Sequence, residues 1–213
     1  GRLTGDALDT DVLVVGGGPA GASVATWLAR SGHHVPLVEK RPDARHKACG
    51  DAITPRALNE LAMLDVDPAA LGAHRLAGVR LVHGDREVTA PWPRHGGLPD
   101  HADALRRDVL DAPLRARAAE SGEIVLRGPQ ATAPIVERGF VRGASLSVDP
   151  ELDAAAAHHA TVRARFVVVA DGANSSFGRD LGTTRQRHWP YGIATRTYFR
   201  SDRAAESWIE SNL

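Results

Sequence analysis

The chain has 213 residues, 43% apolar and 24% charged, a profile that excludes disordered, collagen-like and coiled-coil architectures. Lys+Arg and Asp+Glu both number 26, only Lys40 and Lys47 being lysines, and with no basic block nucleic acid is not an expected partner. Cys49 is the single cysteine and no apolar run approaches about 18 residues, which excludes intrachain disulfides, Cys-rich zinc sites and a membrane-spanning helix.

Asp11-Val-Leu-Val-Val15 reads as a buried parallel strand, broken by Gly16 to Gly21. A helix fits Pro19 to Arg30, with Ala20, Val24, Trp27 and Leu28 on one face and Gly32 at its end. A second apolar run, His34 to Glu39, completes a β-α-β unit. Arg41 to Asp51 is polar and irregular, and Thr54-Pro55 reads as N-cap and first residue of a helix to Met63. Leu76 to Trp92 alternates in short runs, as antiparallel strands do. A helix is expected over Ala104 to Ser121, with Leu110 and Leu114 inward. A short strand follows at Glu123 to Leu126, then a β-meander over 130–165 interrupted by the polar loop Asp149 to His159. Phe166-Val-Val-Val-Ala170 reads as the last buried parallel strand, and Tyr191–Phe199 as strand-like.

Gly16-Gly17-Gly18-Pro19-Ala20-Gly21 fits G-x-G-x-x-G in the strand–turn–helix context that dinucleotide binding needs. Gly16 allows the tight turn, Gly18 lets the backbone approach a pyrophosphate, and Gly21 lets helix and strand pack closely. The diphosphate would sit on the helix N-terminus, where N–H groups and the helix dipole favour negative charge. Glu39, ending the second strand, stands where an acid accepts hydrogen bonds from ribose hydroxyls. Pro19, Ala20 and Lys40 complete this candidate set.

Three later segments resemble a flavoprotein family that includes p-hydroxybenzoate hydroxylase and the geranylgeranyl reductases. Ala170-Asp171-Gly172-Ala173-Asn174-Ser175, with Arg179 downstream, is similar to the family's second FAD motif, whose Asp contacts the ribityl or ribose part of FAD. Arg107-x-x-Leu110-Asp111 is similar to its R-x-x-L-D segment, whose Arg lies near adenosine or diphosphate. Lys47-Ala-Cys49-Gly50-Asp51-Ala-Ile-Thr54-Pro55-Arg56 resembles the K-x-C-G-D-G-L-T-P-R signature of the geranylgeranyl reductase branch, with Ala52 where the branch carries Gly. The resemblance implies that the loop Lys47 to Thr54 lies beside the isoalloxazine ring, with Lys47, Cys49 and Gly50 near cofactor and Cys49 lining flavin or substrate. The tail, Tyr191-Gly-Ile-Ala-x-Arg196-x-Tyr198-Phe199 and Trp208-Ile-Glu-Ser-x-Leu213, is similar to the start of a substrate-domain sheet in actinobacterial members.

The fold so implied is α/β, a Rossmann-like FAD-binding domain (10–75 and 99–182) with parallel sheet and β-meander. It is interleaved with the first antiparallel strands of a truncated substrate domain (76–98 and 183–213). The implied activity is reduction, through FAD, of carbon–carbon double bonds of a polyprenyl chain such as a geranylgeranyl or menaquinone side chain. An external electron donor and a prenyl lipid would be its partners. The expected location is cytoplasmic, with peripheral membrane contact compatible with a neutral chain. Two alternatives stand beside it: a flavin monooxygenase or halogenase acting on an aromatic metabolite, and a non-catalytic FAD-binding fragment. Branch members are longer and carry a further G-D motif, so the chain is expected to be the N-terminal portion of a longer protein. No side chain stands out as proton donor. The pairs His33-His34 and His158-His159 are adjacent and so poorly placed to share a metal. The serines lack a G-x-S-x-G elbow.

Overall fold

Strand β1 (Leu8–Val15) shows why a buried strand needs apolar residues at consecutive positions. Successive side chains leave a strand on opposite faces. Leu13 and Val15 enter one core cluster with Val38, Leu146, Val162 and Phe177. Val12 and Val14 enter another with Ala25, Val35, Leu37 and Ala118. Burying both faces is what a parallel strand under helices requires.

A computed structural model describes residues 8–41, 50–94, 96–121, 125–147, 160–183, 188–190 and 192–213. Lys47, Cys49 and the loop 149–159 lie outside them. Contacts divide the chain into two compact units, Gly1–Ala44 with Asp111–Tyr191, and Arg45–Leu110 with Gly192–Leu213.

The first unit is built on a six-stranded sheet. Its members are β1, β2 (Leu37–Glu39), β8 (Val125–Arg127), β9 (Gln130–Glu137), β10 (Phe140–Ser147) and β11 (Ala160–Val169), in the order β8-β2-β1-β11-β10-β9. β8, β2, β1 and β11 run parallel, whereas β9, β10 and β11 form the antiparallel meander. Helix α1 (Pro19–Arg30) connects β1 to β2, and the short helix α4 (Ser176–Asp180) follows β11. Ser175 caps α4, its Oγ accepting from Gly178 N–H at 2.7 Å.

Three expectations are corrected here. The buried face of α1 is Gly21, Ala22, Ala25 and Thr26, while Ala20 and Trp27 are exposed and Val24 and Leu28 lie at its margin. The small residues win because the helix starts against the strand it follows: a Cβ on Gly21 would stand 1.8 Å from the Gly16 carbonyl oxygen. The second strand is confined to Leu37–Glu39 rather than beginning at His34. The strand at 166–169 is parallel but not buried, Phe166 being 65% exposed. β10 pairs with β11 only over Ala160–Arg163, so the later residues have β1 on one side and no second strand among the described residues.

The second unit holds two three-stranded sheets. One is antiparallel, with β7 (Ala102–Ala104) between β3 (Ala52–Ile53) and β4 (His74–Leu76). The other carries β5 (Gly78–His83) between β6 (Arg86–Pro91) and β12 (Trp208–Asn212). Helix α2 (Pro55–Met63) begins as expected, with Thr54 Oγ1 accepting from Ala57 N–H at 3.4 Å. It buries Leu58 and Leu61.

Here too the structure corrects the sequence reading. Helix α3 spans Arg107–Glu120, with Leu110 and Leu114 buried, but Ala104 belongs to β7. Residues 50–75 and 99–110, expected with the cofactor domain, group with the second unit because β3 and β4 both pair with β7. β12 pairs with β5 in parallel, not antiparallel, register. Residues 192–200 pair with no described strand, and Ile193 is 92% exposed. No helix among the described residues is long and apolar enough to cross a membrane.

Candidate dinucleotide site

The site forms in the first unit, where β1 and β11 end together. Ala170 N–H donates to the Val15 carbonyl at 2.8 Å, and Gly16 N–H to the Val38 carbonyl at 2.8 Å. Gly16 has φ +103°, and a Cβ there would lie 2.5 Å from the Ala170 carbonyl oxygen and 2.7 Å from Asp171 Cα. Only glycine allows both that backbone angle and that approach. The two motifs, separated by about 150 residues of chain, therefore touch through backbone.

Gly18 is the N-cap of α1 and Pro19 its first residue, with Ala22 N–H bonded to the Gly18 carbonyl at 2.9 Å. No side chain caps this terminus, and its first turn holds no acid. A Cβ on Gly18 would meet no described residue within 4 Å. A helix start with unclaimed N–H groups beside open space suits an anion.

Glu39 is drawn against this loop from β2. Its Oε2 accepts from Gly17 N–H at 2.7 Å and its Oε1 from Arg41 N–H at 3.0 Å. Each carboxylate oxygen has a second lone pair, so the group remains able to accept hydroxyl hydrogen bonds. Asp171 lies at the carboxyl end of β11, where open α/β folds place ligands. Its Oδ1 is buried and has no hydrogen-bond partner among the described residues. Gly172, at φ +95°, carries the chain away without a side chain over that oxygen.

The structure thus joins Gly16, Gly18, Pro19, Ala20, Gly21, Glu39, Asp171 and Gly172 into one site. Lys40 is exposed just past Glu39. Gly50 and Arg107 belong to the second unit, and Lys47 and Cys49 lie outside the described residues.

Two features escaped the sequence reading. Arg115 of α3 is 6% exposed and reaches the loop, its Nη1 standing 3.5 Å from the Gly17 carbonyl oxygen. The signal was an arginine inside a stripe of buried helix positions, Leu110, Asp111, Leu114 and Ala118. In the second unit, Asp51 gathers the Cys-Gly-Asp signature and the tail. Its Oδ1 accepts from Arg196 Nη1 at 2.8 Å and from Arg107 N–H at 3.3 Å, and its Oδ2 from the Tyr198 hydroxyl at 2.8 Å. The Arg106 and Arg196 guanidinium carbons lie 5.6 and 5.0 Å from the Tyr198 ring centroid. Burial and the bond to Asp51 raise the Tyr198 phenol above its ordinary pKa.

Residues 9–199 match the family model described as FAD binding domain. The chain is 37% identical over 203 residues to a menaquinone reductase of Mycolicibacterium smegmatis, covering 95% of this chain and 47% of that protein. It is 34% identical over 174 residues to a digeranylgeranylglycerophospholipid reductase of Methanoculleus marisnigri, covering 81% and 41%. Among solved structures, a geranylgeranyl bacteriochlorophyll reductase-like protein from Thermoplasma acidophilum superposes with TM-score 0.70 and 31% identity, covering 84% of this chain and 43% of that one. A myxobacterial chondrochloren halogenase superposes with TM-score 0.72 at 23% identity, covering 81% and 39%, a likeness of fold alone. The chain spans about half the length of the curated relatives it matches. The dinucleotide is FAD. The residues present fit it: an uncapped helix start for its diphosphate, the oriented Glu39 for ribose hydroxyls, and the buried, unpartnered Asp171 Oδ1 as a further acceptor.

Proposed function

The chain belongs to the FAD binding domain family, and on that footing we propose that the whole protein is an FAD-dependent reductase of carbon–carbon double bonds in a polyprenyl chain. The observation that carries this reading is the 37% identity over 203 residues to a menaquinone reductase. A prenyl quinone or prenyl lipid is the substrate, an external donor supplies electrons, and the substrate is taken from a membrane surface. FAD, when bound, supplies a hydride to an alkene carbon.

The residues of this chain bind and orient. The α1 N-terminus and the bare Gly18 backbone hold the diphosphate, Glu39 the adenosine ribose, and Asp171 a hydroxyl nearer the flavin. Arg107 contributes toward the adenosine or diphosphate portion. In the segment from Lys47 to Thr54, the resemblance to the reductase branch assigns Lys47, Cys49 and Gly50 to the flavin, with Cys49 against ring or substrate. Asp51 anchors the end of that segment through Arg196 and Tyr198. The first unit forms the core of the cofactor domain, and residues 76–98 with 192–213 the beginning of a substrate domain.

The test is anaerobic turnover of the full-length protein with a reduced donor and a prenyl quinone, followed by mass spectrometry of the prenyl chain. Gain of two hydrogens at one alkene is expected. Oxygen-dependent hydroxylation or halogenation of an aromatic compound, with the prenyl chain unchanged, would overturn the reading.

A further inference from the structure

Arg115 is a buried cation with no counter-charge among the described residues. Among the described residues its Nη1 has one long contact, to the Gly17 carbonyl, and its buried Nε has no hydrogen-bond partner. It makes no ion pair with any described residue. A guanidinium does not deprotonate in a protein. Burying it unpaired is costly, so such a group persists where something else gains from it.

The peptide it touches indicates what gains. Gly17 is clamped at both ends, its N–H by the Glu39 carboxylate and its carbonyl by Arg115. In a trans peptide the C=O and the following N–H point in opposite directions. Turning the Gly17 carbonyl toward Arg115 therefore turns the Gly18 N–H away from it. Gly18 is where the backbone faces open space at the start of α1. A cation on the carbonyl also polarises the peptide and strengthens its N–H as a donor.

We propose that Arg115 is a positioning residue for the FAD diphosphate, acting through the Gly17–Gly18 peptide. It fixes and polarises the Gly18 N–H, and its buried charge is balanced when the diphosphate binds. This rests on the assignment of FAD to the site and is independent of the substrate. Glu39 and Arg115 then divide the work on one residue, the carboxylate holding its N–H and the guanidinium its carbonyl.

The test uses the full-length protein stripped of FAD, with calorimetric titration of ADP, which carries the diphosphate, and of adenosine, which does not. Arg115→Met is expected to weaken ADP about tenfold and to leave adenosine within about twofold. Thermal melting of the stripped protein is expected to be unchanged or raised, since an uncompensated buried charge has been removed. Arg115→Gln, which keeps donors but not the charge, gives the same comparison if the Met variant does not fold. Equal losses for ADP and adenosine, or no loss for either, would overturn the proposal. Failure of the unaltered protein to bind ADP or FAD would instead overturn the cofactor assignment.

Discussion

The two units differ in what their defining contacts are made of. In the first, the glycine loop and its acid lie within one β-α-β stretch, Gly17 N–H meeting a carboxylate 22 residues away. In the second, Asp51 meets Arg196 across 145 residues, and Arg80 meets Glu206 across 126. The first kind of site is made by backbone conformations that few residue types tolerate. The second is made by charges that many helices and strands could carry. Local backbone demands leave a residue signature, whereas long-range pairing leaves only composition.

The largest expected effects separate two glycines three residues apart. Gly21→Val puts a side chain where a Cβ already stands 1.8 Å from a backbone oxygen. Overpacking against backbone should cost roughly 3 kcal/mol or more and remove FAD with the fold. Gly18→Val adds bulk where no atom of a described residue lies within 4 Å. Its thermal unfolding should stay within about 0.5 kcal/mol of the parent, apart from the small propensity change, while FAD binding is lost. Melting curves with and without FAD check both. If Gly18→Val binds FAD normally, the diphosphate does not sit at the α1 terminus.

Glu39→Ala comes next. It removes a charged acceptor from the ribose and also leaves the Gly17 N–H without its partner. FAD affinity should fall about 10- to 150-fold, from roughly 1.5–3 kcal/mol of lost charge-assisted bonding. Flavin fluorescence titration measures it. Unchanged affinity would mean that Glu39 serves the loop alone.

The parallel sheet, α1, α2, the meander and the glycine loop with Glu39 beside it were legible because period, caps and glycine spacing act locally. Their side-chain detail was less so. The buried face of α1 was misread because Leu28 and Trp27 outweigh Gly21 and Ala22 in hydrophobicity, while closeness of packing favours the smaller pair. Arg115 was hidden because it lies on a different element from the loop it touches. The parallel β12–β5 pairing could not be read at all, since alternation along a strand carries no direction for its partner.

In the second unit, Asp51→Asn should weaken the cluster that ties residues 196–198 to the start of β3. One charged acceptor serving Arg196 and Tyr198 is lost, and the midpoint of thermal unfolding should fall. The Tyr198 phenol is raised by burial first and by the Asp51 bond second, so Asn should bring it part of the way down. The sign for stability follows. A phenol whose folded pKa is raised contributes below its ordinary pKa of about 10, and that contribution is lost as pH rises through the folded value. The ultraviolet phenolate titration, compared between parent and variant, reads the shift. An unmoved titration would show that the hydroxyl does not feel the carboxylate.

The smallest effect is acid weakening of β12. Its attachment to β5 is reinforced by Arg80, Glu206, Arg203 and Glu210. Arg203 and Arg80 hold the Glu206 carboxyl down at about 2, below its ordinary 4.5. Glu210 is lowered too, chiefly by Arg203. A lowered carboxyl contributes stability above its unfolded value and loses it as pH falls through the folded one. β12 should therefore loosen progressively between about pH 4.5 and 2, and not between pH 5 and 8. These pairs are exposed enough that salt and solvent screening keep the contribution small. Trp208 reports the event directly, because its ring packs against Gly78, where a Cβ would lie 2.7 Å from it. Trp208 fluorescence, followed in a variant whose other tryptophans are replaced by Phe, should change through that acid window. Glu206→Gln should flatten the change by removing the more strongly shifted carboxyl. An identical acid profile in the variant would place the ion cluster outside the forces that hold the strand, leaving backbone pairing and Trp208 burial to do so alone.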